Sequence, residues 1–158
     1  MQINKFLVAT MLIIFLTACE NSAENNLPGI DIPMSEMNKA FVVEDPPEMA
    51  NSHKNNEPLA LGLINKSANR IILPDNYGIK IFKKDDQNWI PIENNLQYSS
   101  GDITLLTFKE SPLGLLPVAM PLILGMTLPV TIRVVFVGHY DDSGAKNVGA
   151  YIELTLFP

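Results

Sequence analysis

The strongest constraint on the fold is a series of short apolar runs separated by turn residues, which extends from Pro58 to the end of the chain. Successive side chains of a strand point to opposite faces, so a period of two in hydrophobicity predicts a strand buried on one face. The clearest example is the run at 130–137. Its inward side chains are expected to be Val130, Ile132, Val134 and Phe136.

Shorter runs of the same kind precede and follow it. They cover residues 59–64, 71–73, 78–83, 89–92, 103–108 and 150–157. Residues 79–92 resemble a hairpin that turns at Asp85–Asn88, and no later segment has the pattern of a long amphipathic helix. About seven short strands in about 100 residues predict an all-β, two-sheet sandwich over residues 58–158. A small barrel is the alternative.

Residues 59–67 read Leu-Ala-Leu-Gly-Leu-Ile-Asn-Lys-Ser. This segment is similar to the apolar-x-apolar-x-apolar-x-Asn-x-Ser strand of many bacterial immunoglobulin-like domains. The resemblance extends over roughly residues 58–157 and implies an immunoglobulin-like sandwich without catalytic residues. On lipoproteins, such domains resemble adhesion, assembly or inhibitor modules. The chain departs from the pattern because Cys19 is its single cysteine, so no core disulfide can form.

The N-terminus has the features of a secretory signal. Lys5 precedes an apolar run at 6–16, which is shorter than the roughly 20 residues of a membrane-spanning helix. The run ends in Leu16-Thr17-Ala18-Cys19, which resembles the lipobox of bacterial lipoproteins. The resemblance implies that residues 1–18 are cleaved and that Cys19 carries diacylglycerol and a further fatty acid such as palmitate. An uncleaved anchor helix with an incidental cysteine is the alternative.

The same resemblance predicts the location and the partners of the protein. Two or three acyl chains on Cys19 would hold it firmly in a membrane, and no other cofactor is expected. Glu20 follows the cysteine, which in sorted lipoproteins implies the outer membrane of a two-membrane host. In a single-membrane host, the outer face of the cytoplasmic membrane is expected. Lys83-Lys84 is the largest basic cluster, so nucleic acid is not an expected partner, whereas another envelope protein is.

Residues 19–57 are predicted to be an acidic, flexible linker. From residue 20 on they carry eight acidic and two basic side chains, with four prolines and no apolar period. The linker would space the domain from the membrane. Within it, residues 40–44 are apolar enough to form a first edge strand, and Pro46 and Pro47 fit the end of such a strand.

Residues 111–129 are uncharged and contain four prolines and two glycines, which argues against a lipid-exposed helix. One interpretation is a buried strand and crossover in the sandwich core. The other is a partly exposed apolar surface that docks a partner, with Leu115, Leu116 and Met120 as candidate contacts.

Three aromatic residues form a second candidate surface. Trp89, Tyr77 and Tyr98 could assemble a platform for a sugar or a peptide, although a single tryptophan in a sandwich is more often part of the core. Asp85-Asp86 and Asp141-Asp142 could bind calcium if their loops met. Aspartates in hairpin turns usually serve turn geometry, so no metal site is predicted.

No catalytic residues are predicted. His53 lies in the linker and His139 at a strand end, and neither has a recognisable nucleophile beside it in the sequence. The expected function is therefore a non-enzymatic binding or assembly module. The alternatives are an enzyme inhibitor that inserts a loop such as 111–129 into a cleft, and a carbohydrate-binding module that uses Trp89. A hydrolase would require His139 close to a carboxylate and a hydroxyl group.

Overall fold

The structure is a computed structural model that describes residues 27–45, 53–54, 57–93, 99–111, 115–121, 127–142 and 146–158. Several predicted features lie outside these residues: the signal peptide with Leu16, Thr17 and Ala18, the lipidation residue Cys19, and Tyr98. None of the described helices is long and apolar enough to cross a membrane.

The described residues form nine strands and two 3₁₀ turns, and they contain no α-helix. The strands are β1 (Phe41–Glu44), β2 (Pro58–Asn65), β3 (Ile71–Leu73), β4 (Ile79–Asp85), β5 (Asn88–Ile92), β6 (Ile103–Leu105), β7 (Leu115–Pro121), β8 (Val130–Tyr140) and β9 (Asn147–Leu156). The 3₁₀ turns are Met34–Glu36 and Asp75–Gly78. The predicted all-β, two-sheet sandwich is confirmed, with more strands than the seven or so expected.

The strands form a small sheet in the order β1-β2-β7 and a large sheet built around β8. One edge of β8 pairs with β9 over residues 130–139. Its other edge pairs with β4 over residues 132–136 and then with β3 at residues 139–140. β5 pairs with β4, and β6 pairs with β3. The β4–β5 pair and the β3–β6 pair therefore lie one after the other along the same edge of β8.

The core lies between the two sheets and follows the period-two pattern of the sequence. Every second side chain of β2 and β8 points into it. These side chains are Leu59, Leu61 and Leu63 from β2, and Ile132, Val134 and Phe136 from β8, all of them buried. Full burial of such a side chain stabilises the folded state by about 1.5–3 kcal/mol relative to exposure.

A second apolar cluster covers the outer face of the large sheet. Residues 27–37, called the cover below, pack onto Phe82 of β4 and Val135 of β8. The buried side chains of the cover are Leu27, Ile30, Ile32 and Met37. A flexible linker was predicted over residues 19–57, whereas residues 27–37 pack against the large sheet and residues 41–44 form β1. The outer face of β4 and β8 carries the apolar side chains of Phe82 and Val135, and the cover removes them from water.

Hydrogen bonds hold the end of the cover against β9. The backbone N–H of Asn38 donates to the carbonyl of Gly149 at 2.9 Å, and the N–H of Tyr151 donates to the side-chain Oδ1 of Asn38 at 2.8 Å. A Cβ on Gly149 would lie 2.6 Å from the sulfur of Met37, so glycine permits this close approach. The chain then enters β1, which lies at the edge of the small sheet and within the segment 40–44 where an edge strand was predicted.

The Asn-x-Ser sequence at the end of β2 forms a hydrogen-bonded turn. The buried Asn65 accepts bonds at Oδ1 from the N–H and the hydroxyl of Ser67, both at 2.8 Å. Its Nδ2 donates to the carbonyls of Asn69 at 2.8 Å and Leu105 at 3.2 Å. One amide therefore closes the β2–β3 turn and ties it to β6.

Replacing Asn65 with alanine is expected to lower the free energy of unfolding by about 1–3 kcal/mol, because buried partners would lose their hydrogen bonds. Urea titration of Asn65→Ala measures the loss. Asn69→Ala is the matched control. Asn69 is exposed and accepts the bond from Asn65 through its backbone carbonyl, which alanine retains. Equal unfolding midpoints for the two variants would contradict the role of the Asn65 amide.

The cover gives a second prediction about stability. Ile32→Ala is expected to cost about 2–5 kcal/mol, the usual range for a truncated buried isoleucine. The neighbouring Asp31 is exposed, so Asp31→Ala should change the free energy of unfolding by less than about 0.5 kcal/mol. If residues 27–37 did not pack on the sheet, both variants would unfold at the wild-type urea concentration.

Candidate binding surface

The outer face of the small sheet is almost entirely apolar. Along β2, side chains that point into the core alternate with side chains that point outward. Residues paired directly across two strands lie on the same face of the sheet, so the partners of the outward residues in β1 and β7 belong to the same outer face. This surface, called the small-sheet face below, consists of Val42, Ala60, Gly62, Ile64, Leu115 and Pro117. Glu44 is the charged residue at its border. Leu115 and Pro117 of this face are exposed, and Val42, Ala60 and Ile64 are half-buried.

Leu115 is the most prominent side chain of the small-sheet face. It lies across Gly62, where a Cβ would overlap its Cδ1 atom, and 50% of its surface remains exposed. Gly62 itself is buried beneath it. The next residue, Leu116, points inward and packs against the core, and Val118 is fully buried. Within the described part of residues 111–129, β7 therefore has both a buried side chain, Val118, and an exposed one, Leu115.

A groove of about 200 Å³ lies between β6 and β7, at the side of the sandwich. It is lined by Thr104, Leu105, Leu106, Ser111, Leu115 and Leu116. The groove therefore brings together two of the candidate contacts from the sequence, Leu115 and Leu116, with residues of the segment after β6. The third candidate, Met120, pairs through its backbone with Leu59.

The segment after β6, called the 106–111 loop below, is held in place by the carboxylate of Glu110. One carboxylate oxygen accepts bonds from the backbone N–H of Thr107 at 3.1 Å and from its hydroxyl at 2.9 Å. The other oxygen accepts from Arg70, whose Nε donates at 2.7 Å. The N–H groups of Glu110 and Ser111 both donate to the carbonyl of Thr107 at 3.0 Å. These bonds close a compact turn.

The electrostatic consequence is a strongly acidic carboxyl group. Hydrogen bonds from Arg70, and then from the backbone and hydroxyl of Thr107, lower the pKa of Glu110 to about 2. Glu110 is thus charged at neutral pH, and the ion pair with Arg70 joins the loop to the start of β3. The loop is held at both ends.

The fixed loop presents large apolar side chains to solvent. Phe108 is 65% exposed and Leu106 is 38% exposed, while Thr107 between them is buried. The strand predicted over residues 103–108 is wrong beyond Leu105, because the Glu110 carboxylate binds the N–H of Thr107 and closes a turn there. The spacing Thr107-x-x-Glu110 matches a capping-box pattern and could have indicated this turn.

Trp89 does not provide an open platform. It is half-buried on the outer face of the large sheet, and the guanidinium of Arg133 lies 4.1 Å from its ring centroid. The ring of Tyr151 is 4.6 Å from the same guanidinium, whose Nε also donates to Glu153 at 3.1 Å. The ring face of Trp89 that meets Arg133 is therefore unavailable to a sugar.

The structure does not bring the other predicted aromatic residue to Trp89. Tyr77 lies in the Asp75–Gly78 turn and packs against the core between the sheets, whereas Trp89 belongs to the cluster under the cover. Three residues of the 106–111 loop were not predicted from the sequence: Leu106, which lines the groove with Leu115 and Leu116, the exposed Phe108, and Glu110, which fixes the loop. The candidate surface is consequently the groove, the 106–111 loop and the small-sheet face.

The two histidines lie far apart in the topology. His53 is buried, and its Nε2 lies 2.9 Å from Oδ2 of Asp45, so the pair fixes the chain after β1. His139 lies in β8, paired with Ile72 and Asn147. The two aspartate pairs lie at turns or bends after β4 and β8, and Asp86 has a left-handed backbone conformation with φ of 53°. The described part of the chain contains no group of three or more metal-binding side chains of the His, Cys, Asp and Glu types.

Comparison with known proteins gives little further information. No protein-family model and no curated protein matches the chain. Among solved structures it is similar to Spo0M, a sporulation control protein from Bacillus subtilis, with a TM-score of 0.40 and 13% identity over 75% of this chain. The match covers 50% of that protein. No residue role is transferred at this level of similarity.

The acidity of Glu110 predicts a specific pH dependence of stability. Its pKa of about 2 lies below the ordinary value of 4.5, so its contribution is complete above about pH 4.5 and is lost as the pH falls through about 2. The wild type should exceed Glu110→Gln in free energy of unfolding at about pH 6, and the difference should shrink between pH 4.5 and 2.

Urea titration at a series of pH values measures both proteins. Arg70→Gln removes the largest cause of the shift and should reduce the same pH dependence. Parallel curves for the wild type and Glu110→Gln across this range would show that the carboxylate is not acidic in the folded protein.

Proposed function

We propose that the chain is a membrane-anchored envelope lipoprotein whose domain is a non-enzymatic module that binds another envelope protein. The observation that supports the binding role most directly is the exposure of Leu106 and Leu115, which line one groove, and of Phe108 in the same 106–111 loop. Contiguous exposed apolar surface is uncommon in soluble domains and usually marks a contact site.

The fixed geometry of the 106–111 loop favours this role. Ordering a loop on binding costs free energy, and a loop that is already held in place avoids most of this cost. Here the Glu110 carboxylate and its bonds to Thr107 and Arg70 supply the order in the free protein. Phe108 would then act as a preformed anchor, since buried aromatic side chains often dominate binding energy at interfaces.

At β7, which flanks the groove, contact through side chains is favoured over the addition of a partner strand. Among the edge strands, β5 and β7 contain prolines, namely Pro91 in β5 and Pro117 and Pro121 in β7, whereas β1, β6 and β9 contain none. Proline lacks an N–H donor, and its presence on edge strands prevents the regular pairing that strand addition needs. The partner therefore meets the groove and the loop with an apolar surface of its own.

An inhibitor is the second candidate function, and one observation favours it. Phe108 protrudes on a loop that is fixed at both ends, which is the geometry needed to fill a cleft in an enzyme. The two proposals share the same residues. They differ in the partner, which would be an enzyme that loses activity on binding in the second case.

Substitution of Phe108 tests the proposal. The acylated protein is used to capture partners from native envelope membranes, and a photo-crosslinker at Leu106 identifies the protein that contacts the groove. Phe108→Ser is expected to reduce recovery of the crosslinked protein about ten-fold, as for a strong interface anchor. Recovery is measured by quantitative mass spectrometry.

Phe157→Ser is the matched control, because Phe157 is also an exposed phenylalanine, 45% accessible, but belongs neither to the groove lining nor to the 106–111 loop. It should retain wild-type recovery. Equal recovery with both variants, at equal stability in urea, would refute the binding surface. Cys19→Ala tests the anchor separately, since it should release the protein from the membrane fraction.

A further inference from the structure

We propose that Met34 is a site of reversible oxidation by a peroxide, and that the sulfoxide oxygen then accepts a hydrogen bond from Arg133 that fastens the cover more firmly to the large sheet. Oxidation usually weakens the packing of a methionine, because the apolar thioether becomes polar. The surroundings of Met34 favour the opposite result. The inference concerns the cover and is independent of the proposed binding role.

The sulfur of Met34 lies beside a guanidinium group. Met34 is the first residue of the 3₁₀ turn Met34–Glu36 of the cover, and its Sδ lies 3.9 Å from Nη1 of Arg133 in β8. A thioether sulfur is a weak acceptor, so the reduced side chain makes a weak bond here. The other two guanidinium nitrogens, Nε and Nη2, both donate to Glu153, and Nη1 therefore faces the cover.

The guanidinium is fixed before any oxidation takes place. It lies 4.1 Å from the ring centroid of Trp89 and 4.6 Å from that of Tyr151, and 11% of the Arg133 side chain is exposed. Turning Nη1 toward solvent would break these cation–π contacts. A new acceptor on Met34 would thus meet a donor that is already in place, at little further cost in conformational entropy.

Oxidation places a strong acceptor at this donor. The sulfur lone pair attacks one oxygen atom of hydrogen peroxide, the O–O bond breaks, and the other oxygen leaves as water with the proton of the first. The sulfur loses two electrons, the peroxide gains them, and one S–O bond forms. In the epimer whose oxygen points toward Nη1, this bond brings the oxygen within reach of a charge-assisted hydrogen bond, which is about 2.7–2.9 Å long and about twice as strong as a neutral one.

Met37, the other methionine of the cover, has different surroundings. It is 6% exposed and packs in the same cluster as Ile32. Its sulfur lies close over Gly149, where a Cβ would be 2.6 Å away, so an oxygen added on that side would meet the backbone of β9. Met34 is half-buried and accessible to peroxide from solvent, whereas Met37 becomes accessible when the cover opens.

The cover therefore combines one methionine that accommodates oxidation with one that does not. Oxidation of Met34 would strengthen the contact that holds the 3₁₀ turn on β8, and a tighter cover would keep Met37 protected. Enzymes that reduce methionine sulfoxide restore the thioether, so the change is reversible. The arrangement would preserve the burial of Phe82 and Val135 in the presence of peroxide.

Limited treatment of the full-length protein with hydrogen peroxide tests the site. Peptide mass spectrometry is expected to show sulfoxide forming at Met34 about ten-fold or more faster than at Met37, since oxidation of Met37 requires opening of the cover. Met34→Leu, treated in the same way, is the control for oxidation of the other methionines. Equal rates at the two positions would overturn the assignment of Met34 as the preferred site.

Urea titration of the treated protein tests the hydrogen bond. Epimer-selective sulfoxide reductases are used to leave one epimer at a time. One epimer is expected to raise the unfolding midpoint by about 0.3 M or more above that of the untreated protein, because a charge-assisted bond replaces a weak sulfur contact. If both epimers lower the midpoint while treated Met34→Leu keeps its own, the proposal is overturned.

A pair of substitutions gives an independent measurement without oxidant. Met34→Gln supplies a permanent side-chain oxygen, whereas Met34→Leu supplies none. The urea midpoint of Met34→Gln relative to Met34→Leu is expected to be higher in the presence of Arg133 than in an Arg133→Gln background. The same difference in both backgrounds would contradict the hydrogen bond. If the Arg133→Gln proteins do not fold, the peroxide experiment decides the question.

Discussion

Strand β8 must be removed from water on both of its faces, and the rest of the architecture follows from this requirement. Ile132, Val134 and Phe136 point into the core, while Val135 on the opposite face is equally buried. The small sheet covers the first face, and the cover of residues 27–37 covers the second. A near-continuous apolar run is typical of strands buried on both sides. The segment before β1 is therefore part of the fold and not a spacer.

The one charge in the middle of β8 is compatible with this burial because its neighbours satisfy it. The guanidinium of Arg133 lies between the rings of Trp89 and Tyr151 and donates to Glu153 on the adjacent strand. Cation–π contacts gain strength where the cation is partly desolvated. This arrangement also explains why the single tryptophan is half-buried outside the core between the sheets.

The strands and the inward residues could be predicted from the sequence because their signal is local and periodic, as in β2 and β8. The cover could not, since Leu27, Ile30, Ile32 and Met37 have no common period. Their burial depends on the opposing face of β4 and β8, which only the tertiary structure brings near. The candidate surface was predicted in part. Leu115 and Leu116 lie in a conspicuous uncharged segment, whereas Phe108 was assigned to a strand that ends at Leu105.

Phe108 and Glu110 show why the loop was difficult to predict and why it matters. A run such as Ile-Thr-Leu-Leu-Thr-Phe has strong strand character, and a strand would have turned Phe108 toward one face of a sheet. The hydrogen bonds of the Glu110 carboxylate to Thr107 and Arg70 outweigh this preference and end the strand early. The chain thus keeps the exposed ring of Phe108 in a fixed position, where burial of its apolar surface requires a second molecule. Under the proposed binding role, the polar interactions of the loop hold the apolar side chain of Phe108 in place before a partner arrives, which lowers the free-energy cost of binding.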